Sequence, residues 1–592
     1  MGGPCIQPSL RPAMNLRLTP PPRNPFRDAS TLVCLLFLLF SWVLANDASS
    51  QSPPNPHPAD LLIRSGRVLQ WSGADAEAVA VRGGKVVWVG LDRDSAGWID
   101  QTTTIVEAHG GLVTPGLNDA HVHFLSGSLG LQQIDLNDAQ HASTILERVE
   151  AFAKRYPERP VIVGRGWLYG AFAGGLPTRD MLDAVVADKP VLLRCYDGHT
   201  IWVNTVALRQ AGITRDSPDP PRGLIVRDST TGEPTGVLKE SAQRLVDSLF
   251  PVPSLDEKKE ALLQGIALAH RVGVTSIQEC GVDDAELMVF DTMIQEGRFP
   301  LRTHFALSGQ VGMNDTDFDR LMATRRAKES IGVRSVKLFI DGVIESHTAY
   351  LLSPYANQST LGLPACDATE LQRLIARLDR EEWNVMVHAI GEGGVRMTLD
   401  AFEHAMQSNP DRKRLRRHRL EHVETIDPSD ITRLKPLGVI ASMQPRHAEP
   451  NSNIFDVWVA NIGPSRAERA WAWKSILASG GRLAFGTDWP VVPLDPRPGL
   501  QIAVTRQTLD GKPDEPFVRS QQLKLEEALY AYTYGAAFAE GQETEKGAIA
   551  PGQMADLVIW KKDLRTLPAS ELYRAEVEAT LFNGQVVYRA GQ

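Results

Sequence analysis

The sequence predicts an α/β fold, a (β/α)8 TIM barrel, on three observations. Eight short apolar runs recur along the chain with helix-compatible stretches between them. Several of these runs end in a histidine, lysine or aspartate, and the two ends of the chain share a β-type texture that the middle lacks. Parallel strands buried on both faces read as nearly continuous apolar runs, and a barrel gathers its chemistry where those strands end.

In chain order the runs are VTPGLNDAHVHF (113–124), GVTSIQECG (273–281), LRTHFALSG (301–309) and RSVKLFIDG (334–342). NVMVHAIG (384–391), RLEHVE (419–424), GVIASMQP (438–445) and RLAFGTDWP (482–490) complete the set. The gap between His123 and Gly273 is too long for one β-to-β crossover, so an inserted segment is expected there. Residues 160–250, with RPVIVGRGWLYG and KPVLLRCYDGHTIWVN, read as an α/β insertion over the barrel mouth. Short β-type runs separated by glycine-rich turns fill 59–115 and return in 546–592, which predicts a small β-sandwich built from both chain ends, with the barrel over 116–545.

Arg17, Arg23 and Arg27 precede the apolar run TLVCLLFLLFSWVLA, which has the length of a signal-peptide core and is short for a bilayer span. A leader over 1–45 and a disordered mature terminus over 46–58 are expected, and with them export to the periplasm or medium. Retention as an uncleaved anchor is the alternative, and Met14 is an alternative start. Once the leader is removed, no membrane association is expected. Cys195, Cys280 and Cys366 remain beyond it with no CxxC pair, and read as small buried residues rather than as a disulfide framework. A net charge of -9 without a long basic run excludes a nucleic-acid footprint, so the partner is a small molecule. A homo-oligomer is compatible with the composition.

His121 and His123 stand one residue apart on the first run, and on a strand positions i and i+2 share a face, so the two imidazoles can converge on one metal ion. Lys337, His388, His422 and Asp488 fall at corresponding ends of the fourth, fifth, sixth and eighth runs. Singly, a core histidine or a helix-capping aspartate would explain each. Six at the ends of one predicted barrel indicate an active site. Lys337 lies inside an apolar strand, where a bare ammonium is costly to bury. An ion pair with Asp341 or Glu345 would relieve that cost; reaction with CO2 to a carbamate, a carboxylate-like ligand able to bridge two divalent metals, is the favoured reading.

HVH, VKLFIDG, VHAIGE, RLEHVE, SMQPRH and GTDWPV, in this order, resemble the amidohydrolase superfamily, and within it the branch that includes N-substituted formamide deformylase. The resemblance implies that His121 and His123 hold one metal ion, that His388 and His422 hold a second, and that Lys337 bridges them. It makes Asp488 both a ligand and the catalytic base. One or two ions are implied, zinc foremost, with Mn, Fe and Co suited to the same ligands. His199 in DGHTIWVN and His447 in QPRH occupy motifs that recur in this branch and are expected to face substrate. Trp167 and Trp489 are candidates to wall an apolar pocket, core packing being the commoner role. The resulting expectation is a metal-dependent hydrolase of a non-peptide C–N bond. An esterase or lactonase with the same centre, and an inactive binding protein on this scaffold, are the alternatives.

Overall fold

A computed structural model describes residues 57–250 and 252–592. The expected leader and nearly all of the polar stretch after it lie outside the described residues. Among the described residues no helix is long and apolar enough to cross a membrane.

The barrel strands are β1 (Leu117–Val122), β2 (Val274–Val282), β3 (Arg302–Ser308), β4 (Val333–Phe339), β5 (Asn384–Ala389), β6 (Arg419–His422), β7 (Ile440–Met443) and β8 (Arg482–Phe485). They form one parallel sheet in sequential order. Every residue of β1 is buried, as a strand covered on both faces requires. The barrel closes just beyond β8, where Asp488 N donates to His121 O and His123 N donates to Trp489 O, each at 2.7 Å. Buried Asp119 adds to this seam, accepting from the Thr487 amide at 2.8 Å and its hydroxyl at 2.5 Å. Gly486 has no room for a side chain there, since a Cβ would lie 2.6 Å from His121 N.

β8 is shorter than the run that predicts it. Its chain leaves the sheet after Phe485, and Asp488 takes a left-handed backbone with φ 62°. Several loops after the strands begin with helix caps that satisfy otherwise orphaned amides: Asp283 and Glu286 form a capping box on the helix after β2.

Two further sheets flank this barrel. A four-stranded sheet uses residues 61–107, and a five-stranded sheet joins Arg67–Val68 and Leu112–Pro115 to Leu557–Trp560, Val577–Phe582 and Gln585–Arg589. Val79, Val81 and Val113 from one chain end share a core with Leu557, Ile559 and Leu581 from the other. Each such side chain stabilises by about 1.5–3 kcal/mol when fully buried, so the two termini are held by a common core.

The insertion is a six-stranded sheet running from Ile134–Asp135 to Pro234–Glu240. It begins earlier than residue 160, because its first strand has only two residues, too short to show alternation, and the helix Ala142–Arg155 packs Ile145 and Val149 into the same core. Trp167 belongs to this core and donates Nε1–H to Leu193 O at 2.8 Å, so it walls no pocket. Trp489 is likewise a packing residue, edge-on to Phe124 with ring centroids 5.3 Å apart. Cys195 and Cys280 are buried and free; Cys366 is only half-buried, on the loop before the helix Ala368–Arg380. The insertion touches the barrel mouth through Arg165, whose guanidinium donates to Pro490 O at 2.9 Å.

Candidate metal centre

The six strand-end side chains named from the sequence meet in one cleft, and the backbone turns sharply to bring them there. His422, Val423 and Asp488 all have positive φ, at 75°, 49° and 62°. Non-glycine residues rarely adopt this conformation, and such strain clusters where surrounding structure must aim a functional group.

Asp488 stands at the centre. Its Oδ1 lies 3.5 Å from His121 Nε2 and 3.3 Å from His123 Nε2, and its Oδ2 lies 3.7 Å from His422 Nδ1. Burial opposes its charge, but His121, His123 and His422 outweigh that and hold the carboxyl well below the usual carboxylate range. Oδ1 is buried without a hydrogen bond. Ligand atoms of His121, His422 and Asp488 all lie within 4.8 Å of one another, a spacing that suits a shared cation. This tightest group takes one histidine from each of the two pairs expected to hold separate ions.

Each buried histidine has one ring nitrogen fixed by the fold, which decides the nitrogen left for a ligand. His121 donates Nδ1–H to Glu421 Oε2 at 2.6 Å, leaving the Nε2 lone pair to face the cluster. His422 Nδ1 donates to Gln444 Oε1 at 2.9 Å and His388 Nε2 to Gly342 O at 3.1 Å, so Nε2 and Nδ1 respectively are free. Burial and the Lys337 ammonium push His121 down to about 4, despite the opposing carboxylates. The ring is therefore neutral at pH 7, the form that binds metals.

Lys337 is 1% exposed, and its Nζ lies 3.1 Å from His121 Nε2. The ion pair weighed from the sequence does not form. Asp341 is occupied by the amides of Tyr350, Ile390 and Gly391 at 2.9–3.1 Å. Glu345 is held by the Tyr196 hydroxyl and, at 3.3 Å, by Asn453 Nδ2. Among the described residues no carboxylate pairs with this buried amine.

His447, on the turn after β7, stacks parallel to His422 with ring centroids 6.1 Å apart. Its Nε2 is unpaired and lies 4.0 Å from Asp488 Oδ2. His199 reaches the cleft from the insertion, its ring 5.3 Å from that of His388. Burial alone would depress its pKa; Glu240, 3.0 Å from Nδ1, raises it to about 9, with help from Asp197. The lining also includes Asp197, Glu345 and Glu424, and the cleft has a cavity volume of about 60 Å³. Burial and neighbouring carboxylates push Glu424 up, and burial raises Glu345 to about 7.

Sequence reasoning missed Glu421 and its supports. Fully buried Arg419 donates Nε–H to Glu421 Oε1 at 2.7 Å, and also reaches Gln278 and Ala120 O, so a polar chain through the barrel interior ends on His121. The available signal was an acid alternating with an arginine inside the apolar RLEH run, a pattern costly to bury unless paired. A carboxylate behind a ligating histidine sets its tautomer and basicity. Glu421→Gln should therefore weaken divalent-metal affinity about 10- to 100-fold in a chelator competition; unchanged affinity would separate Glu421 from the site.

A parallel barrel whose strand ends bring histidines, a lysine and a buried aspartate to one point defines a metal-dependent hydrolase. The amidohydrolase family model matches residues 104–588, and the chain belongs to that family. It is 30% identical to Protein LONG AFTER FAR-RED 3 of Arabidopsis thaliana, covering 94% of this chain and 97% of that one. It is 26% identical to the N-substituted formamide deformylase of Arthrobacter pascens, over 88% and 96% of the two chains. Among solved structures, an uncharacterized metal-dependent hydrolase from Pyrococcus horikoshii OT3 superposes with a TM-score of 0.66 at 24% identity, covering 86% and 99%, and so shares the fold.

Proposed function

We propose that the protein hydrolyses a non-peptide C–N bond, of amide type, in a small molecule. The observation that carries this reading is Asp488 Oδ1, a buried acceptor without a hydrogen bond that faces His121 and His123. His121, His123, His388, His422 and Asp488 would hold one or two divalent cations, with zinc suited to these donors. Lys337 would join them after its ammonium loses one proton and the neutral amine attacks CO2, forming an N–C bond and releasing a second proton, which would turn a buried cation without a carboxylate partner into an anionic ligand. When bound, such ions acidify water and polarise a carbonyl.

The chain's own groups do the rest. Asp488 accepts a proton from the attacking water and returns it to the departing amine nitrogen. Neutral His447 and charged His199 stand on the cleft wall, placed to donate hydrogen bonds to the carbonyl oxygen as it gains negative charge. Support for a C–N target comes from the family and from the deformylase relative. The test is a screen of N-acyl and N-formyl amines, carbamates and cyclic amides, with matched esters, against metal-replete protein. Chelator-sensitive amide turnover is expected. Turnover of esters alone would transfer the protein to the esterase reading, and absence of both turnover and bound metal would leave a binding protein.

We also propose export to the periplasm or medium. The mature chain should begin near Asn46, which N-terminal sequencing checks; an intact Met1 or Met14 terminus in the cytoplasmic fraction would refute it.

A further inference from the structure

Three carboxylates line the same cleft as the histidine cluster and have no part in the chemistry above. Asp197 comes from the insertion, Glu345 from the segment after β4 and Glu424 from the turn after β6. His447 stands between this wall and the catalytic aspartate, with Nδ1 4.0 Å from Glu424 Oε1 and Nε2 4.0 Å from Asp488 Oδ2. Glu345 and Glu424 are 7% and 6% exposed. Burying carboxylates without a partner is costly, so their unsatisfied atoms carry information.

Glu424 Oε2 accepts Trp458 Nε1–H at 2.7 Å, which fixes the carboxyl, while Oε1 has no hydrogen bond and faces the cleft. Asp197 Oδ1 accepts the His199 amide at 2.8 Å, but Oδ2 is buried with no partner. Glu345 Oε1 is anchored by Tyr196 and Asn453. Among the described residues no lysine or arginine forms an ion pair with any of the three. Of the cations nearby, His199 is engaged by Glu240 at 3.0 Å, Arg165 by the carbonyls of Pro490 and Tyr196, each at 2.9 Å, and Lys337 faces His121 Nε2 at 3.1 Å, while Lys239 acts on Asp197 without forming an ion pair with it. Rigid acceptors with unused lone pairs, lining one cleft and forming no ion pair with the lysine or arginine side chains around it, are complementary to a group that brings both positive charge and N–H donors.

We propose that this wall recognises a cationic nitrogen group, an ammonium or amidinium, carried on the same substrate whose amide carbonyl is presented to Asp488. The substrate class is then an N-acylated diamine or a guanidine-bearing amide, held by its cation at one end of the cleft and cleaved at the other. This identification of the substrate rests on the amide-hydrolase reading, whereas the cation-binding wall does not.

The test compares N-acetylputrescine with N-pentylacetamide, amides of equal length in which an ammonium replaces a methyl group. Binding to the metal-replete protein is followed by calorimetry and hydrolysis by amine release. The cationic amide should bind about 10- to 100-fold more tightly, the range expected for hydrogen bonds to charged partners. Glu424→Gln and Glu345→Gln, checked for folding by circular dichroism, should each move that ratio toward unity. Equal or weaker binding of the cationic amide by wild-type protein, no binding of either, or an unchanged ratio in both variants would overturn the proposal. Discrimination in binding without hydrolysis of either amide would uphold the wall and sink the hydrolase reading instead.

Discussion

Asp488→Asn should lower kcat by about 10²- to 10⁴-fold while leaving bound metal largely in place and KM little changed. Asparagine preserves the size of the side chain and still offers a carbonyl oxygen where Oδ1 faces His121 and His123. It cannot accept a proton from water at neutral pH, so the loss falls on the chemical step. His121→Ala provides the contrast: it removes the ring between Glu421 and Asp488, so metal occupancy and activity should fall together. Metal analysis alongside single-substrate kinetics separates the two cases. Asp488 is not the base if the asparagine variant, with its metal confirmed in place, keeps more than about a tenth of wild-type kcat.

Lys337→Ala should abolish metal loading and reduce activity to below about 1% of wild type, although every histidine of the cluster remains. The geometry sharpens this expectation. Lys337 is buried against His121 Nε2, and the carboxylates that might have neutralised it are occupied by backbone amides or by Tyr196 and Asn453. An amine so placed is tolerable in the finished centre if it becomes anionic. Wild-type loading should accordingly depend on CO2, and acetate or propionate should restore part of the metal content and turnover of the variant. Full metal content and normal turnover in Lys337→Ala would remove the bridge from the proposal.

The barrel was legible in the sequence because strands covered on both faces must be apolar throughout, and a parallel sheet repeats that signature eight times. The shared sandwich was legible for a related reason: β-type runs at both chain ends need a common core, which Val113 and Leu557 provide. His121, Lys337, His388, His422 and Asp488 stood out because polar groups at the ends of buried strands need a purpose. Their support did not stand out. Glu421 lies 300 residues from the His121 ring it orients, and the Asp119–Thr487 seam spans 368 residues, so neither leaves a local pattern. The short first strand of the insertion, the packing of Trp489 on Phe124 and the engagement of Asp341 by backbone amides were also decided by three-dimensional neighbours. Periodicity and residue type report what a segment must bury or expose, and that determined the strands and the chemistry they present. Which partner meets each buried polar group depends on how distant segments are juxtaposed, and only the tertiary structure settled that, from the carboxylate behind His121 to the acidic wall facing the cleft.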